Sequence, residues 1–488
     1  MAKNKSNPSV IKNYFYHTFT QILSIIVPLI TTPYVSRVLR PEGIGIYSYT
    51  NAITTFFTLF AALGMSAYGQ REIAFNRDDI EKRSEAFYEL FFFKSITAIT
   101  VIVIYSFFIN TEPIQYKLYY QIQCLSLFSV LVDISWYFQG LEEFKLMAYK
   151  TLFVRLFSIA LIFMFVKSES DLWLYILICV GAGLIANLLL YIPLKESISK
   201  VDLKSINPFK HAKGIVEFFL PVLAVQLYTH VDKIMLGKMT YSSNENGYYE
   251  QARRITEVII MFVTSINTVL FPRIAFLYAQ KKGGAISEVL RKSYRIMITI
   301  LLPVIVGLAV IADSFVEWFF GPGYEKVGIL LRLACPLLVF MCIGNFIGVE
   351  YLNPTKQQNK ATVVYSISAL VNIIFNFLLI PRLLSIGAMY ASILAEFVSC
   401  SLQVVLLKRS EYQFGLLSGI WKYVLASIIM GIIVGIVELF LPLRGFLLTF
   451  IEILTGMSIY LLILVIMKDD NILFELISKK LNDNKVVH

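Results

Sequence analysis

The sequence predicts an all-α polytopic membrane protein, on three observations. Of the 488 residues, 57% are hydrophobic and only 16% are charged, whereas an average soluble domain is about 45–50% apolar and about 25% charged. The mean hydropathy is +0.70. Apolar stretches long enough to cross a bilayer recur along the whole chain. Because lipid offers backbone amides no hydrogen-bond partner, each of these stretches is predicted to be a helix.

The apolar stretches predict about 14 transmembrane helices, separated by short polar breaks. The predicted spans are 13–38, 44–68, 86–109, 116–139, 146–166, 172–194, 214–237, 247–271, 293–312, 327–349, 361–380, 386–407, 420–441 and 446–467. Each span needs about 20 residues, so the spans leave no room for a sizeable soluble domain. This excludes a membrane-anchored enzyme with its own catalytic head.

Lysine and arginine are unevenly distributed over the breaks. With the N-terminus inside, 28 of the 43 basic residues lie in the tails and loops on the cytoplasmic side, and 8 lie in the loops on the opposite side. A bias of this size in short loops predicts that both termini face the cytoplasm. The net charge of +10 is therefore explained by membrane topology, and no nucleic-acid partner is expected.

Two parts of the chain resemble each other at an offset of 202 residues. Segments 45–71 and 247–273 share six of 27 positions, including Gly45/Gly247 and Thr54/Thr256. Chance similarity between two apolar helix pairs is the alternative. If the repeat is real, two six-helix lobes of parallel topology enclose a cavity. The predicted segments are a cytoplasmic tail (1–12), an N-lobe of helices 1–6 (13–194), a cytoplasmic linker (195–213), a C-lobe of helices 7–12 (214–407), two added helices (420–467) and a second cytoplasmic tail (468–488).

Prolines interrupt the first predicted helix of each half. Pro28 lies in predicted helix 1 and Pro221 in predicted helix 7. Interrupted helices at corresponding positions of two halves indicate the binding region of a transporter, so both residues are predicted helix kinks. A packing kink without functional consequence is the alternative.

Three blocks of the sequence resemble a known family. They read LITTPYVSRVLRPEGIGIYSYTNAI (29–53), VDKIMLGKM…NENGYYEQARRI (231–255) and LFPRIAFLY (270–278). They resemble the Wzx-type polysaccharide flippases of the multidrug/oligosaccharidyl-lipid/polysaccharide (MOP) superfamily, and the resemblance covers about residues 10–467.

The resemblance implies a flippase of the bacterial plasma membrane. Its substrate would be an undecaprenyl-pyrophosphate-linked oligosaccharide repeat unit for capsule, O-antigen or exopolysaccharide assembly. Transport would proceed by alternating access through a cationic central cavity. Membrane lipids, a glycan polymerase and a chain-length regulator are the partners that follow from this family. The alternative is a cation-coupled multidrug or metabolite antiporter of the same superfamily.

Basic residues inside the spans are the candidates for substrate binding. A charge at membrane depth costs about 2.5–3.5 kcal/mol on insertion scales, so it usually faces protein or a water-filled cavity. Guanidinium groups bind phosphate oxygens bidentately, and ammonium groups add point charge. The candidates for the cationic cavity are Arg155, Lys94, Arg37, Lys233, Arg253 and Arg254. Arg155 lies nearest to mid-span.

Several basic residues also have a structural interpretation. Glu250/Arg254 and Arg253/Glu257 are i,i+4 pairs that would neutralise each other on one helix. Lys150 lies near enough to a predicted helix end to extend to the membrane interface, and so does Arg332.

Acidic residues inside the spans are the candidates for ion coupling or gating. A carboxylate at membrane depth can exchange a proton or bind sodium, as a coupled transporter requires. The candidates are Glu396, Asp232 and Asp133. For Glu396 the alternative is a buried hydrogen bond or a salt bridge to Arg332 or Arg155. Asp232, next to Lys233, is the better candidate for an ion pair between the lobes.

The sequence contains no pattern typical of an enzyme. There is no metal constellation, no Ser/His/Asp arrangement and no phosphate-binding GxxxxGK[ST] loop. The five cysteines lie in apolar runs without ligand spacing. A glycan polymerase would need a large external loop, and no external break exceeds about 15 residues. We therefore expect a transporter with no metal or cofactor, except for proton or sodium coupling.

Overall fold

A computed structural model describes the backbone of residues 8–467 except 203, 205, 241, 266 and 417. Side chains are described over the same range except 8–26, 28, 221, 224, 225, 227, 228 and 267–269. Within these residues every regular element is a helix, which confirms the predicted all-α class. The helices are α1 (Pro8–Ala62), α2 (Met65–Phe75), α3 (Ile80–Thr111), α4 (Ile114–Val132), α5 (Ser135–Gly140), α6 (Phe144–Phe165), α7 (Leu172–Leu189), α8 (Tyr191–Ser197), α9 (Ala212–Met239), α10 (Ser243–Thr264), α11 (Asn267–Ala279), α12 (Gly283–Phe320), α13 (Glu325–Asn345), α14 (Gln358–Leu383), α15 (Ser385–Lys408), α16 (Ile420–Phe440) and α17 (Phe446–Ile466).

Eleven helical stretches of the described residues are long and apolar enough to cross a membrane. One of them, 29–75, contains parts of two predicted spans. Two further predicted spans, 214–237 and 247–271, have no counterpart among the eleven stretches. The first falls in α9 and the second in α10 and the start of α11. Helix α10 carries five charged side chains, and this reduces its hydropathy; they are Glu245, Glu250, Arg253, Arg254 and Glu257. The number of 14 spans and the orientation of the termini therefore remain predictions.

The chain divides into two compact units. Unit 1 comprises Met1–Gly237 and Tyr241–Gly247, and unit 2 comprises Lys238–Thr240 and Tyr248–His488. The predicted lobe boundaries stay predictions, but most of helix α9 lies in unit 1. The physical reason is close packing: a methyl group on Gly237 would lie 2.7 Å from Cγ of Tyr49 in α1.

Helix α1 is interrupted at Arg40. This residue has φ 59° and ψ 172°, a backbone conformation that is essentially restricted to glycine. Its side chain makes an ion pair with Glu169, with 3.4 Å between Nε and Oε1. The break in α1 therefore lies at Arg40. The predicted kink residues Pro28 and Pro221 fall in α1 and α9 but lie outside the described side chains.

The segments proposed as a repeat have the same pattern of helix, break and helix. Helix α1 ends at Ala62 and α10 at Thr264, while α2 begins at Met65 and α11 at Asn267. Both pairs of residues are 202 positions apart, the offset at which the sequences match. The matching helix ends support the repeat by an observation independent of residue identity.

The paired glycines of the repeat lie against each other. A methyl group on Gly45 would overlap the carbonyl oxygen of Ser243 and lie 2.9 Å from the amide nitrogen of Gly247. A methyl group on Gly247 would in turn overlap the carbonyl oxygen of Pro41. Glycine is required at both positions because the backbones of α1 and α10 approach too closely for any side chain.

A buried carboxylate attaches the linker that precedes α9 to α3 of unit 1. Glu89 is 2% exposed in its side chain and accepts hydrogen bonds from Lys210 Nζ at 3.0 Å and from the Asn207 amide at 3.3 Å. His211 Nε2 lies 2.9 Å from the same carboxylate, and His211 Nδ1 lies 2.9 Å from the Tyr68 hydroxyl. The bond to Glu89 raises the pKa of Lys210, so this lysine is charged at all physiological pH values.

In unit 2, α16 packs against α12 at Gly431, next to Val306, and α17 packs against α12 through polar contacts. Trp318 Nε1 donates to Thr449 Oγ1 at 2.9 Å, and the Tyr460 hydroxyl donates to the Thr299 carbonyl at 2.8 Å. Ser314 Oγ donates to Glu452 Oε2 at 3.3 Å. The two C-terminal helices are therefore integral to unit 2.

We predict that Gly45→Ala and Gly247→Ala each destabilise the protein, since the added methyl group overlaps backbone atoms; overpacking of this kind costs about 1–3 kcal/mol. The matched control is Gly181→Ala in α7, where a methyl group meets no described atom within 4 Å and alanine favours the helix by about 0.5–1 kcal/mol. Thermal unfolding of the purified proteins measures the difference. Equal unfolding temperatures for all three variants would contradict the close packing.

We predict that Glu89→Gln loosens the linker, because the variant lacks the negative charge that holds Lys210 and His211. Cleavage by a protease within 198–207 should be several-fold faster than in the unchanged protein. Glu81→Gln, an exposed change in the first turn of the same helix, is the control. A cleavage rate unaffected by Glu89→Gln would show that the linker is held by other contacts.

Candidate functional site

A break between α4 and α5 brings two predicted site residues together in unit 1. The sequence predicted one span over 116–139, but Asp133 is extended (φ −70°, ψ 119°) and ends α4. Its carboxylate accepts a hydrogen bond from the Ser135 amide at 2.9 Å. Its carbonyl oxygen accepts one from Trp136 Nε1 at 3.2 Å and another from Lys94 Nζ. These donors replace the intrahelical bonds that are lost at the break.

Lys94 is enclosed by protein. The residue is 2% exposed, and its ammonium nitrogen lies 5.6 Å from the ring centroid of Phe91. A cation at the C-terminal end of a helix is favoured by the helix dipole, and Lys94 occupies this position relative to α4. The geometry thus gives Lys94 a part in stabilising the break, beside its predicted role in binding substrate.

A second lysine of unit 1 links three helices at membrane depth. Lys150 of α6 donates to Asn187 Oδ1 of α7 at 2.7 Å. Asn187 Nδ2 donates in turn to the hydroxyl of Ser129 in α4 at 3.0 Å. The sequence predicts that Lys150 extends to the membrane interface, but a hydrogen bond to the side chain of Asn187 holds it instead. Asn187 is uncharged, so charged residues in the sequence do not identify it as the partner.

The other candidate cations of unit 1 are less enclosed. Arg155 is half-buried on α6 and Arg37 is exposed on α1, one turn before the break at Arg40. In α9, Asp232 is 5% exposed and Lys233 is half-buried. The carbonyl oxygen of Lys233 accepts a hydrogen bond from Asn246 Nδ2 at 2.9 Å.

In unit 2, the predicted cations of α10 have acidic partners on the same helix. Arg254 lies 3.2 Å from Glu250, and Arg253 lies 3.8 Å from Glu257. This confirms the i,i+4 pairs that the sequence suggested. Arg253 Nη1 also lies 3.8 Å from the sulfur of Met341 in α13, so its guanidinium points toward the interior of the unit.

Arg332 pairs with a residue that the sequence analysis did not consider. Both of its terminal nitrogens donate to the carboxylate of Asp313 at 2.8 Å, which makes a bidentate pair between α13 and α12. A salt bridge to Arg332 was one of the alternatives for Glu396, which is 7% exposed on α15; Arg332 pairs with Asp313 instead, and the coupling role of Glu396 stays a prediction. Asp313 was overlooked because it lies just beyond the predicted span 293–312.

Glu350 is a second acidic residue that the sequence analysis missed. It is fully buried in the π-helical segment Phe346–Leu352, which continues α13. Within the described part of the chain, neither carboxylate oxygen has a hydrogen-bond partner. Single π-helical turns occur frequently at functional sites. Glu350 was missed because the sequence predicted that helix 10 ends at residue 349 and that a cytoplasmic loop begins there.

Among the described residues, no group of three or more His, Cys, Asp or Glu side chains is arranged to hold a metal ion. The charged residues instead form pairs and hydrogen bonds inside each unit. The arrangement can bind anions at the less enclosed cations and can bind protons or cations at the buried carboxylates. These are properties of a transport pathway.

Comparison with known proteins identifies the family. The model of the polysaccharide biosynthesis protein family matches residues 10–277, more than half of the chain. The model of the MatE family matches residues 218–378. The two matches overlap and together cover most of the helical region.

Two curated relatives and one solved structure are similar over most of their lengths. A putative O-antigen transporter of Escherichia coli K12 is 25% identical over 84% of this chain and 99% of its own. The capsular polysaccharide biosynthesis protein CapF of Staphylococcus aureus is 22% identical over 80% of this chain and 97% of its own. The lipid II flippase MurJ, in an inward closed conformation, superimposes with a TM-score of 0.74 at 17% identity, over 94% of this chain and 99% of its own.

The fold of this chain is therefore that of MurJ, and its relatives are named as transporters and polysaccharide biosynthesis proteins. Both findings agree with the resemblance noted in the sequence and with its membrane-spanning helices. The chain belongs to the polysaccharide biosynthesis protein family, as a multi-pass transporter of the bacterial plasma membrane.

Proposed function

We propose that this protein is a flippase that moves an undecaprenyl-pyrophosphate-linked oligosaccharide repeat unit from the cytoplasmic to the outer leaflet. The observation that carries the proposal is the family match over residues 10–277. The likeness of the fold to a lipid II flippase supports it. The product would serve capsule, O-antigen or exopolysaccharide assembly, with a glycan polymerase and a chain-length regulator as partners beside the membrane lipids.

The proposed mechanism is alternating access through a cationic cavity. Arg155, Arg37, Lys233, Arg253 and Arg254 supply the positive charge that attracts the pyrophosphate, since guanidinium groups bind phosphate oxygens bidentately. The half-buried position of Arg155 supports this assignment, because the side chain is accessible yet lies at membrane depth. Lys94 acts through the backbone of Asp133, which keeps the α4–α5 break in place.

A proton or sodium ion would bias the return step. Glu396 and Asp232 are buried on α15 and α9, and Asp133 ends α4; these are the proposed coupling or gating residues. We add Glu350 to this set. A buried carboxylate without a partner destabilises the folded protein by several kcal/mol, and protonation or cation binding removes this cost.

A second candidate function is cation-coupled antiport of a drug or metabolite. The match of residues 218–378 to the MatE model supports it. The candidate residues inside the spans comprise six basic and three acidic side chains, and this balance favours an anionic cargo and thus the flippase.

Deletion of the protein in its native host distinguishes the two functions. We expect surface polysaccharide to be lost and lipid-linked repeat units to accumulate in the cytoplasmic leaflet, because translocation precedes polymerisation. Labelling of the repeat units in intact and permeabilised cells measures the leaflet. Unchanged polysaccharide with altered drug tolerance would instead establish the antiporter.

Substitutions on α6 test the cationic site. Arg155→Gln should reduce surface polysaccharide at least tenfold at unchanged membrane abundance, because it lacks the charge that binds pyrophosphate. Lys145→Gln, an exposed change on the same helix, should leave polysaccharide unchanged. Quantitative immunoblots and a polysaccharide assay on the same cells measure both quantities.

Lys94→Gln is the comparison for a residue that supports the helix break. It should lower membrane abundance together with polysaccharide, because the carbonyl oxygen of Asp133 would lose a charged donor. Normal abundance of Lys94→Gln with lost polysaccharide would place Lys94 among the substrate-binding cations. Normal polysaccharide in Arg155→Gln would remove Arg155 from that set.

A further inference from the structure

A cavity of about 480 Å³ lies in unit 2, where three segments of the chain meet. The segments are the end of α11, the stretch from the π-helical turn to the start of α14, and the connection from α15 to α16. All three fall in loops, or beside loops, that the sequence predicts to be cytoplasmic (272–295, 350–360 and 408–422). The volume is in the range of about 300–1,000 Å³ that is typical of pockets for small molecules.

Three tyrosines form one wall of the cavity. The ring of Tyr412 lies between those of Tyr278 and Tyr351, with centroid distances of 6.4 and 6.0 Å and angles of 67° and 61° between the ring planes. Tyr351 is 1% exposed, and its hydroxyl accepts a hydrogen bond from Gln357 Nε2 at 3.1 Å. Burial and the neighbouring Glu411 raise the pKa of Tyr412, so its hydroxyl stays neutral and can donate. Tyr278 and Tyr412 are half-buried and supply the accessible part of the wall, while the buried Tyr351 packs against Tyr412.

Two cations, Lys360 and Arg409, line the same cavity. Lys360 is exposed, and its Nζ donates to Gln357 Oε1 at 2.8 Å. Arg409 directly follows α15, and among the described residues its guanidinium has neither a hydrogen-bond nor an ion-pair partner. With Glu411, the one carboxylate of the lining, the cavity has a positive balance.

We propose that this cavity binds a phosphorylated ring compound, either a nucleoside phosphate or a sugar phosphate. Arg409 and Lys360 bind the phosphate oxygens, and the base or sugar ring packs on the tyrosine wall. A guanidinium without a described partner and an ammonium group in the same lining suit phosphate. Aromatic faces suit a flat base or the apolar face of a sugar. The ligand reaches the site free in the cytoplasm or as the head group of a lipid; the phosphate chemistry is the same.

The site is separate from the proposed transport cations, since neither Lys360 nor Arg409 belongs to them. A ligand that binds at these predicted cytoplasmic loops would make the transporter respond to the concentration of phosphorylated sugar. Binding is measurable without transport, so a negative result would leave the proposed function intact, and a failure of that function would leave this site intact.

Calorimetric titration of the purified full-length protein tests the proposal, with uridine diphosphate and inorganic pyrophosphate as probes. Arg409→Gln and Lys360→Gln should each raise the Kd of uridine diphosphate at least tenfold. The matched controls are Lys408→Gln and Lys356→Gln, exposed changes of equal charge that lie beside the two cations but do not line the cavity; they should change the Kd less than twofold. All four side chains are exposed, so loss of folding does not complicate the comparison.

Tyr412→Ala separates the contribution of the ring from that of the phosphate. It should weaken binding of uridine diphosphate but leave pyrophosphate unaffected, because only the former carries a ring. The proposal is overturned if neither probe binds at millimolar concentration, or if the control lysines weaken binding as much as Arg409 and Lys360 do. Reconstitution in nanodiscs with and without phosphatidylinositol, an anionic lipid whose head group is a phosphorylated ring, distinguishes the sources. Competition by the anionic lipid indicates a head group, and unchanged affinity indicates a free ligand.

Discussion

The structure depends on one constraint: at membrane depth, each backbone group that leaves a helix needs a partner from the protein. Lipid provides none, and an unsatisfied group costs several kcal/mol. The break after α4 meets this requirement directly. The carbonyl oxygen of Asp133 receives Lys94 and Trp136, while its carboxylate receives the Ser135 amide. Residues that look like isolated charges in the sequence therefore stabilise an interruption of the helix.

The same constraint explains how the helices pack. Hydrophobic burial does not distinguish a neighbouring helix from lipid, so close backbone approach and interhelical hydrogen bonds specify the contacts. The glycine pair Gly45 and Gly247 provides the close approach. The buried network of Thr54, Gln123 and Tyr105 joins α1, α4 and α3, with Thr54 Oγ1 2.8 Å from the Tyr105 hydroxyl and 2.6 Å from Gln123 Oε1. Thr54 and its repeat counterpart Thr256 are both buried.

Basic residues that do not stabilise a helix break or a contact between helices are the candidates for substrate binding. Lys94 and Lys150 have hydrogen-bond partners inside unit 1, while Arg37 is exposed and Arg155 is half-buried. Arg409 and Lys360 stand beside tyrosines outside the spans. Glu350 differs from these cations because it is an acidic residue and is buried. Neither of its carboxylate oxygens has a hydrogen-bond partner among the described residues.

Composition and periodicity alone determined the all-α membrane class and most of the helix positions. These properties follow from local chemistry, since a stretch of apolar residues in lipid has only the helix available. The i,i+4 pairs of α10 could be predicted for the same reason, because their spacing on one helix places them together. Tertiary structure decided the break at Asp133, the Asp313–Arg332 pair, the buried Glu350 and the tyrosine-lined cavity. Each depends on contacts between residues far apart in the chain, such as Lys94 with Asp133 or Tyr278 with Tyr412, and the spacing of residues within one segment carries no information about such contacts.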